Sequence, residues 1–388
     1  MRFLLTTALL LCGVGAAVRL AWAELVFRGD SPSQVQAAIA DLRSTPNAFY
    51  WQRLADLIPN QQSQFLDKAL EANARQTSAR IALGLLQEHA GNFGSAEQTL
   101  LQAAHYDRQY LPAWTLANFY FRRGSADRFW QWARRAAQLN DDNPRPLLRL
   151  ASLLEHDPAI VLDRLKGGDN LPYAYLDLLI GAGRLDSAHA LLPVLLRAKV
   201  VRTNQLLDLT TRQLQAGNVS WALETWNALC GVAPACASLD AEHGPLLAAG
   251  FETPDGAGFH PSSVSNPGIT ADWHTAEATF SLDGSQVDLC PLFAQPVPAP
   301  RRGGKHYRLQ YEYESSATGA RWSMAGFDSP VLPLRQDWQR GEWAISPPPE
   351  SGKDDLRILK LRLIYHREPG TIPARGELRV RNLQLTIF

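Results

Sequence analysis

One six-residue phrase recurs through the first two thirds of this chain and restricts what it can fold into. It reads GNFGSA at 91–96, GRLDSA at 183–188 and GNVSWA at 217–222, with a worn copy, GSADRF, at 124–129. Each copy follows an apolar, helix-period stretch and precedes another. Two antiparallel helices need a tight turn between them, and glycine supplies the backbone freedom. They also need a close crossing, which a small residue early in the second helix permits. The phrase therefore predicts the elbow of a helical hairpin, used several times over.

The flanks carry the period. Leu83, Gly91 and Ala103 reappear as Leu116, Gly124 and Ala136, each 33 residues later, and Gly183/Ala188 precede Gly217/Ala222 by 34. Trp114 falls where the tetratricopeptide pattern favours Trp. The spacing and the set of positions match the tetratricopeptide repeat, a helical hairpin that buries its apolar stripe only by stacking on the next. Gly124 and Gly183 are 59 apart, not twice 34, so the unit between them is expected to be shortened. Two segments within 33–76, SQVQAAIADLRS and AFYWQRLADLI, are expected to add a leading helical pair.

Near residue 250 the text changes character. Residues 251–388 hold 14 of the 25 prolines, and short β-type runs alternate with Pro/Gly turns. The expected strands are 276–282, 286–293, 305–315, 320–327, 341–346, 356–367 and 376–388. YRLQYEYE and LRVRNLQLTIF read as clean alternations, one apolar face and one polar face. Seven such runs predict an antiparallel β-sandwich of jelly-roll type. The fold class is thus multidomain α + β, a tetratricopeptide-like solenoid followed by a sandwich. The expected boundaries are 1–23 for a leader, 24–76 for a helical cap, 77–245 for the solenoid and 246–388 for the sandwich.

The leader is read from Arg2, an apolar run from Phe3 to Val18 and the small-x-small pattern Ala21-Trp22-Ala23, together an export signal. Sixteen residues are short for a span that needs about 20. A cleaved signal and an uncleaved membrane anchor both stay open, and either places the bulk of the chain outside the cytoplasm. Three cysteines lie beyond the leader. Cys230 and Cys236 could close a small loop, leaving Cys290 buried and free. Formal net charge is zero, which argues against a nucleic-acid partner, because phosphate binding needs a basic surface.

The stretches LGLLQEHAGNFGSAEQTLLQAA, YLPAWTLANFYFRR, FWQWARRA, VDLCPLFAQPVP, ARW and LRLIYHREPGTIPARGELRVRNLQL together resemble a group of uncharacterised exported bacterial proteins. These join tetratricopeptide repeats to a C-terminal sandwich like that of carbohydrate-binding modules, in association with exopolysaccharide or envelope polysaccharide genes. The resemblance covers nearly all of 45–388 and implies architecture more than activity. One departure is visible. The group carries a Trp shortly after the GF that opens the sandwich, whereas this chain has His260 and Pro261, and its nearest Trp is Trp273, displaced by an insertion-like loop.

No catalytic motif stands out. The chain lacks GxSxG, HExxH, a P-loop and a GxGxxG following a strand, its histidines are scattered, and neither a cofactor nor a metal is implied. NDDN (140–143) reads as a solvated turn between repeats. Binding residues are better candidates. On the first helix of the unit at 111–143, Trp114, Asn118, Phe121 and Arg122 fall near positions that face the groove of such an array. An Asn can hydrogen-bond a peptide backbone there, and an Arg can fork onto a carboxylate. Arg80 and His89 are the counterparts one unit earlier. Sugar binding would need exposed rings. Trp338, in an expected loop with Arg335, Asp337 and Arg340, and Trp273 are the candidates, while Trp322 and Trp343 are expected in the core. The sequence thus points to a non-enzymatic envelope scaffold with a protein partner and a polysaccharide contact. A protein–protein adaptor with a purely structural sandwich is the alternative.

Overall fold

The computed structural model describes residues 48–139, 143–198, 201–233, 236–247, 256–263, 266–274, 277–302, 304–352 and 354–388, with isolated positions 14, 33 and 36. Most of the expected leader, of the segment SQVQAAIADLRS and of the NDDN turn lies outside the described residues. Among the described residues no helix is long and apolar enough to cross a membrane. The chain packs as two compact units, one of residues 1–156 and 160–168, the other of 157–159 and 169–388.

The first unit is a run of helical hairpins. Helix α1 (Ala48–Leu57) pairs with α2 (Gln62–Ala72), α3 (Thr77–His89) with α4 (Phe93–Tyr106), and α5 (Tyr110–Arg122) with α6 (Ala126–Leu139). AFYWQRLADL packs against the helix that follows it, with Trp51 and Phe65 stacked 6.1 Å apart between the two. Helices α7 (Arg145–Leu154) and α8 (Pro158–Leu165) follow where the shortened unit is expected, without the close pairing of the three earlier hairpins. They are joined through Glu155, His156 and Asp157, without the glycine elbow.

The repeated phrase has one structure wherever it occurs. Gly91, Gly124, Gly183 and Gly217 all take positive φ, between 66° and 80°. At each, the glycine N–H bonds a carbonyl three residues back, and the next residue's N–H bonds one five residues back. Gly91 donates to Glu88 and Asn92 to Gln87, and Gly217 donates to Leu214 and Asn218 to Gln213. This is the Schellman ending of a helix, which the left-handed residue makes possible. A Cβ at any of the four would meet nothing within 4 Å, so the backbone conformation is what demands glycine there. Close approach is met elsewhere, at Gly84, where a Cβ would lie 2.7 Å from Leu100. The worn copy is a volume exchange. Ala96 and Leu100 of α4 correspond to Phe129 and Ala133 of α6, all four buried, so the large side chain has moved one turn along the helix.

The second unit begins with α9 (Leu171–Gly181), α10 (Leu185–Ala190), α11 (Leu192–Leu196), α12 (Thr203–Gln215) and α13 (Val219–Cys230). Cys230 and Cys236 are disulfide-bonded with Cα atoms 4.8 Å apart, and Cys290 is free and buried. The unit continues into two antiparallel five-stranded sheets, ordered β1-β4-β9-β6-β7 and β2-β3-β10-β5-β8. The strands are β1 (Ser262–Ser263), β2 (Ile269–His274), β3 (Glu277–Asp283), β4 (Leu289–Pro300), β5 (Tyr307–Ser315), β6 (Ala320–Met324), β7 (Phe327–Asp328), β8 (Arg335–Ile345), β9 (Leu356–His366) and β10 (Arg375–Ile387). The first sheet contributes Phe293, Val297, Trp322, Leu361 and Leu363 to the sandwich core, the second Phe280, Leu309, Leu378 and Val380. The architecture is a tetratricopeptide-like helical array followed by an antiparallel β-sandwich.

Four expectations change in detail. Strand β4 runs through Pro296, Pro298 and Pro300, where the sequence suggested a turn. Its even-numbered carbonyl at Ala294 points to β1, so these prolines aim their missing N–H at the sheet edge and leave the pairing with β9 intact. The expected strand 320–327 is a hairpin, turned at Ala325 and Gly326, both with positive φ. Trp273 lies on strand β2, paired with Ala278, ahead of the first strand expected from the sequence. The clean alternation of the last strand breaks between Arg381 and Gln384, where Asn382, at φ 54°, makes a bulge.

Candidate binding surfaces

In the first unit the face of interest is made by the first helices of successive hairpins. Helical spacing brings Leu85 and Glu88 to one side of α3, and Leu111, Trp114, Asn118 and Arg122 to one side of α5. The structure puts the four α5 candidates close together but gives each a local partner. Trp114 is half-buried and stacked parallel to Tyr110 at 6.2 Å. Asn118 donates its amide back to the Trp114 carbonyl at 3.0 Å. Phe121 is half-buried against Phe129 at 5.9 Å. Arg122 does fork onto a carboxylate, but an internal one: its Nε and Nη2 donate to the two oxygens of Glu88 at 2.8 and 2.6 Å. Glu88 was missed from sequence, though it precedes Arg122 by 34 residues, one repeat length. Leu85 and Leu111, 40 % and 52 % exposed, were missed as well. They flank the pair with apolar surface that none of the described residues covers. Arg80 turns instead to the second helix, reaching Gln102 and lying over the Tyr106 ring.

In the second unit the surface next to the helices is already occupied. Trp226 of α13 is fully buried. It meets Phe259 edge-on at 5.6 Å and His260 at 4.9 Å. Gly258 donates its N–H to Thr211 at 2.8 Å, and a Cβ there would touch the Trp226 ring at 3.0 Å. His260, which follows GF in this chain, is thus a packing residue set against a helix. Asp354, from the turn before β9, caps α13. It accepts from the backbone N–H of Ser220 at 3.0 Å and from its hydroxyl at 2.5 Å. Burial pushes the Asp354 carboxyl up, but the hydrogen bonds from Ser220 and its neighbours outweigh this and leave it below its ordinary value.

Of the sugar-site candidates, Trp273 packs on the sandwich core, 5.8 Å from Phe280 and 6.1 Å from Phe293. Trp322 is buried, as expected, and Trp343 is half-buried against the core. Trp338 belongs to strand β8, not to a loop, and lies on the outer face of the second sheet. It is half-buried, with Arg381 3.9 Å and Arg379 5.1 Å from its ring centroid. These guanidinia belong to a charge lattice. Arg379 bonds Glu277 at 2.7 Å and Glu314 at 3.2 Å, and Arg381 bonds Glu312 at 2.9 Å. Arg381, ahead of any other neighbour, holds the Glu312 carboxyl below its usual range. Beside this lattice, at the β10 bulge, opens a cleft of about 440 Å³. Among the described residues no group of His, Cys, Asp and Glu is placed to hold a metal ion.

No protein-family model and no curated protein matches the sequence. Three solved structures are each similar to part of the chain. YrrB, described as a tetratricopeptide protein with an unusual peptide-binding site, is 14 % identical, covering 53 % of this chain and 94 % of its own at a TM-score of 0.27. PilF of Pseudomonas aeruginosa is 17 % identical, covering 52 % and 94 % at 0.26. A carbohydrate-binding module of family 4 is 9 % identical, covering 33 % and 86 % at 0.25. At such identities and scores they bear on no functional question.

Proposed function

We propose that this chain is a non-enzymatic scaffold of the cell envelope. Its first helices hold a protein partner and its sandwich holds a glycan, in the assembly of exopolysaccharide or another envelope polysaccharide. The chain works outside the cytoplasm, in the periplasm, with residues 3–23 holding it at the inner membrane. The observation that carries the protein-binding half is the α3–α5 face. There, exposed Leu85 and Leu111 sit beside half-buried Trp114 and Phe121, around an ion pair whose geometry is already fixed. Apolar side chains around a satisfied polar centre suit an extended peptide segment, which brings its own backbone donors and acceptors.

The test is site-specific photo-crosslinking in cells that make the full chain. A photoreactive residue at Leu111 is expected to give a discrete adduct that disappears with Trp114→Ala. The same residue at Leu101, on the second-helix side, is expected to give none. Absence of an adduct at Leu111, or equal labelling at both sites, would sink the proposal.

A second reading, an adaptor whose sandwich is purely structural, is favoured by one specific observation: a seam of the sandwich is committed to α13 through Trp226 and Asp354. It predicts that no glycan binds the intact chain. A fragment starting at residue 250 would not decide the matter, because it would strip Phe259 and Asp354 of their helical partners.

A further inference from the structure

The bulge in β10 interrupts a regular charge lattice and makes a cleft out of a flat sheet face. Asn382 takes the left-handed conformation, which is strained for a non-glycine residue and is accepted only where the surroundings fix it. The bulge shifts the alternation by one place, so that Gln384 stands on the outer face with Arg379 and Arg381. Across the cleft, Gln310 of β5 donates to Glu342 of β8 at 3.1 Å, and Arg340 reaches Glu312 at 3.4 Å. Glu312 is oriented from three sides, by Arg381, Asn382 and Arg340.

The lining is thus two carboxylates, one guanidinium and three amides. A sugar hydroxyl both donates and accepts, and so is matched by carboxylate and amide oxygens on one side and by amide and guanidinium N–H groups on the other. Both carboxylates are already held by guanidinia, Glu312 by Arg381 and Arg340 and Glu342 by Arg308, so the lining offers no spare cation to an anionic ligand. An apolar peptide side chain would find no pocket, since among the lining residues the only large ring, Tyr311, is buried.

Resting on the glycan half of the function proposed above, we infer that the cleft at the β10 bulge, lined by Gln310, Glu312, Arg340, Glu342, Asn382 and Gln384, is a binding site for a neutral saccharide, read through its hydroxyls. Trp338 stands two residues from Arg340 on the same strand and walls the site through Arg381.

Calorimetric titration of the full chain with neutral gluco-, xylo- and manno-oligosaccharides and with an oligogalacturonate tests this. At least one neutral oligosaccharide is expected to bind, and the acidic one is not. Gln310→Ala and Gln384→Ala, both exposed and expected to leave the melting temperature unchanged, are each expected to weaken binding about tenfold, the worth of one hydrogen bond well placed in a site. If a neutral glycan binds and neither substitution matters, the cleft is overturned while the glycan reading stands. Preference for the acidic oligosaccharide would also overturn the cleft. If no glycan binds, both fail.

Discussion

The hairpin at 77–106 and the hairpin at 203–230 share one elbow and differ in what they face. Both end their first helix in the same pair of hydrogen bonds around a left-handed glycine, and both bury the alanine five residues on, Ala96 or Ala222. The first stacks on another hairpin and leaves Leu85 exposed beside Glu88. The second lies against a sandwich, with the N-terminus of its second helix, α13, capped by Asp354 and its Trp226 enclosed by Phe259, His260 and Gly258. Local turn chemistry makes the hairpin. What the hairpin is for depends on its outward side chains, aromatic and enclosed in one case, apolar and uncovered in the other.

Substitutions at the two hairpins should separate them, and the largest effect belongs to the covered one. Trp226→Ala removes the ring at the centre of the seam and is expected to cost about 3–5 kcal/mol in denaturant unfolding of the second unit. A loss under about 1 kcal/mol would mean that the seam is not where this unit is held. Next, Gly84→Ala is expected to cost about 1–3 kcal/mol, because the new methyl meets Leu100, while Gly91→Ala and Gly217→Ala should each cost about 1 kcal/mol from backbone strain alone. Equal penalties at the last two would confirm that the elbow is indifferent to what the hairpin faces.

Asp354→Asn should cost about 1 kcal/mol, the worth of a helix cap. Its pH dependence follows from the sign of the shift. The folded carboxyl titrates below its unfolded value of about 3.9, so its contribution is present above that pH and is lost as pH falls through the folded value. Wild type and Asp354→Asn should therefore differ at neutral pH and converge in acid. The smallest effect is expected beside the uncovered hairpin, on the neighbouring helix α5. Arg122→Met breaks an ion pair with one exposed partner and should change stability by under about 1 kcal/mol in thermal melts. It should nonetheless alter the Leu111 crosslink, because the face loses its polar centre.

The helical half was legible because its signals are local. A glycine elbow, a following alanine and a fixed period specify turn, crossing and stacking without distant information. The sandwich was legible as a class but not in its working parts. Pro296, Pro298 and Pro300 hid the length of β4, since proline is compatible with a strand only when its missing N–H faces an edge, and edges are a property of the whole sheet. Trp338 looked like a loop residue because β8 starts with exposed polar residues, whose partners on β5 come from elsewhere in the chain. The bulge was half-readable: Val380 and Leu385 cannot share a face unless the alternation slips between them. Asp354 as a cap for a helix 134 residues earlier left no trace in the sequence.

Native-state hydrogen exchange across a denaturant series tests the central contrast most directly. Amides of α13 are expected to exchange with the same opening free energy and denaturant slope as those of β9, as one cooperative unit, while amides of α3 and α5 open with values of their own. If α13 instead opens with α3 and α5 while β9 stays protected, the last hairpin belongs with the other repeats and the contrast between covered and uncovered hairpins fails.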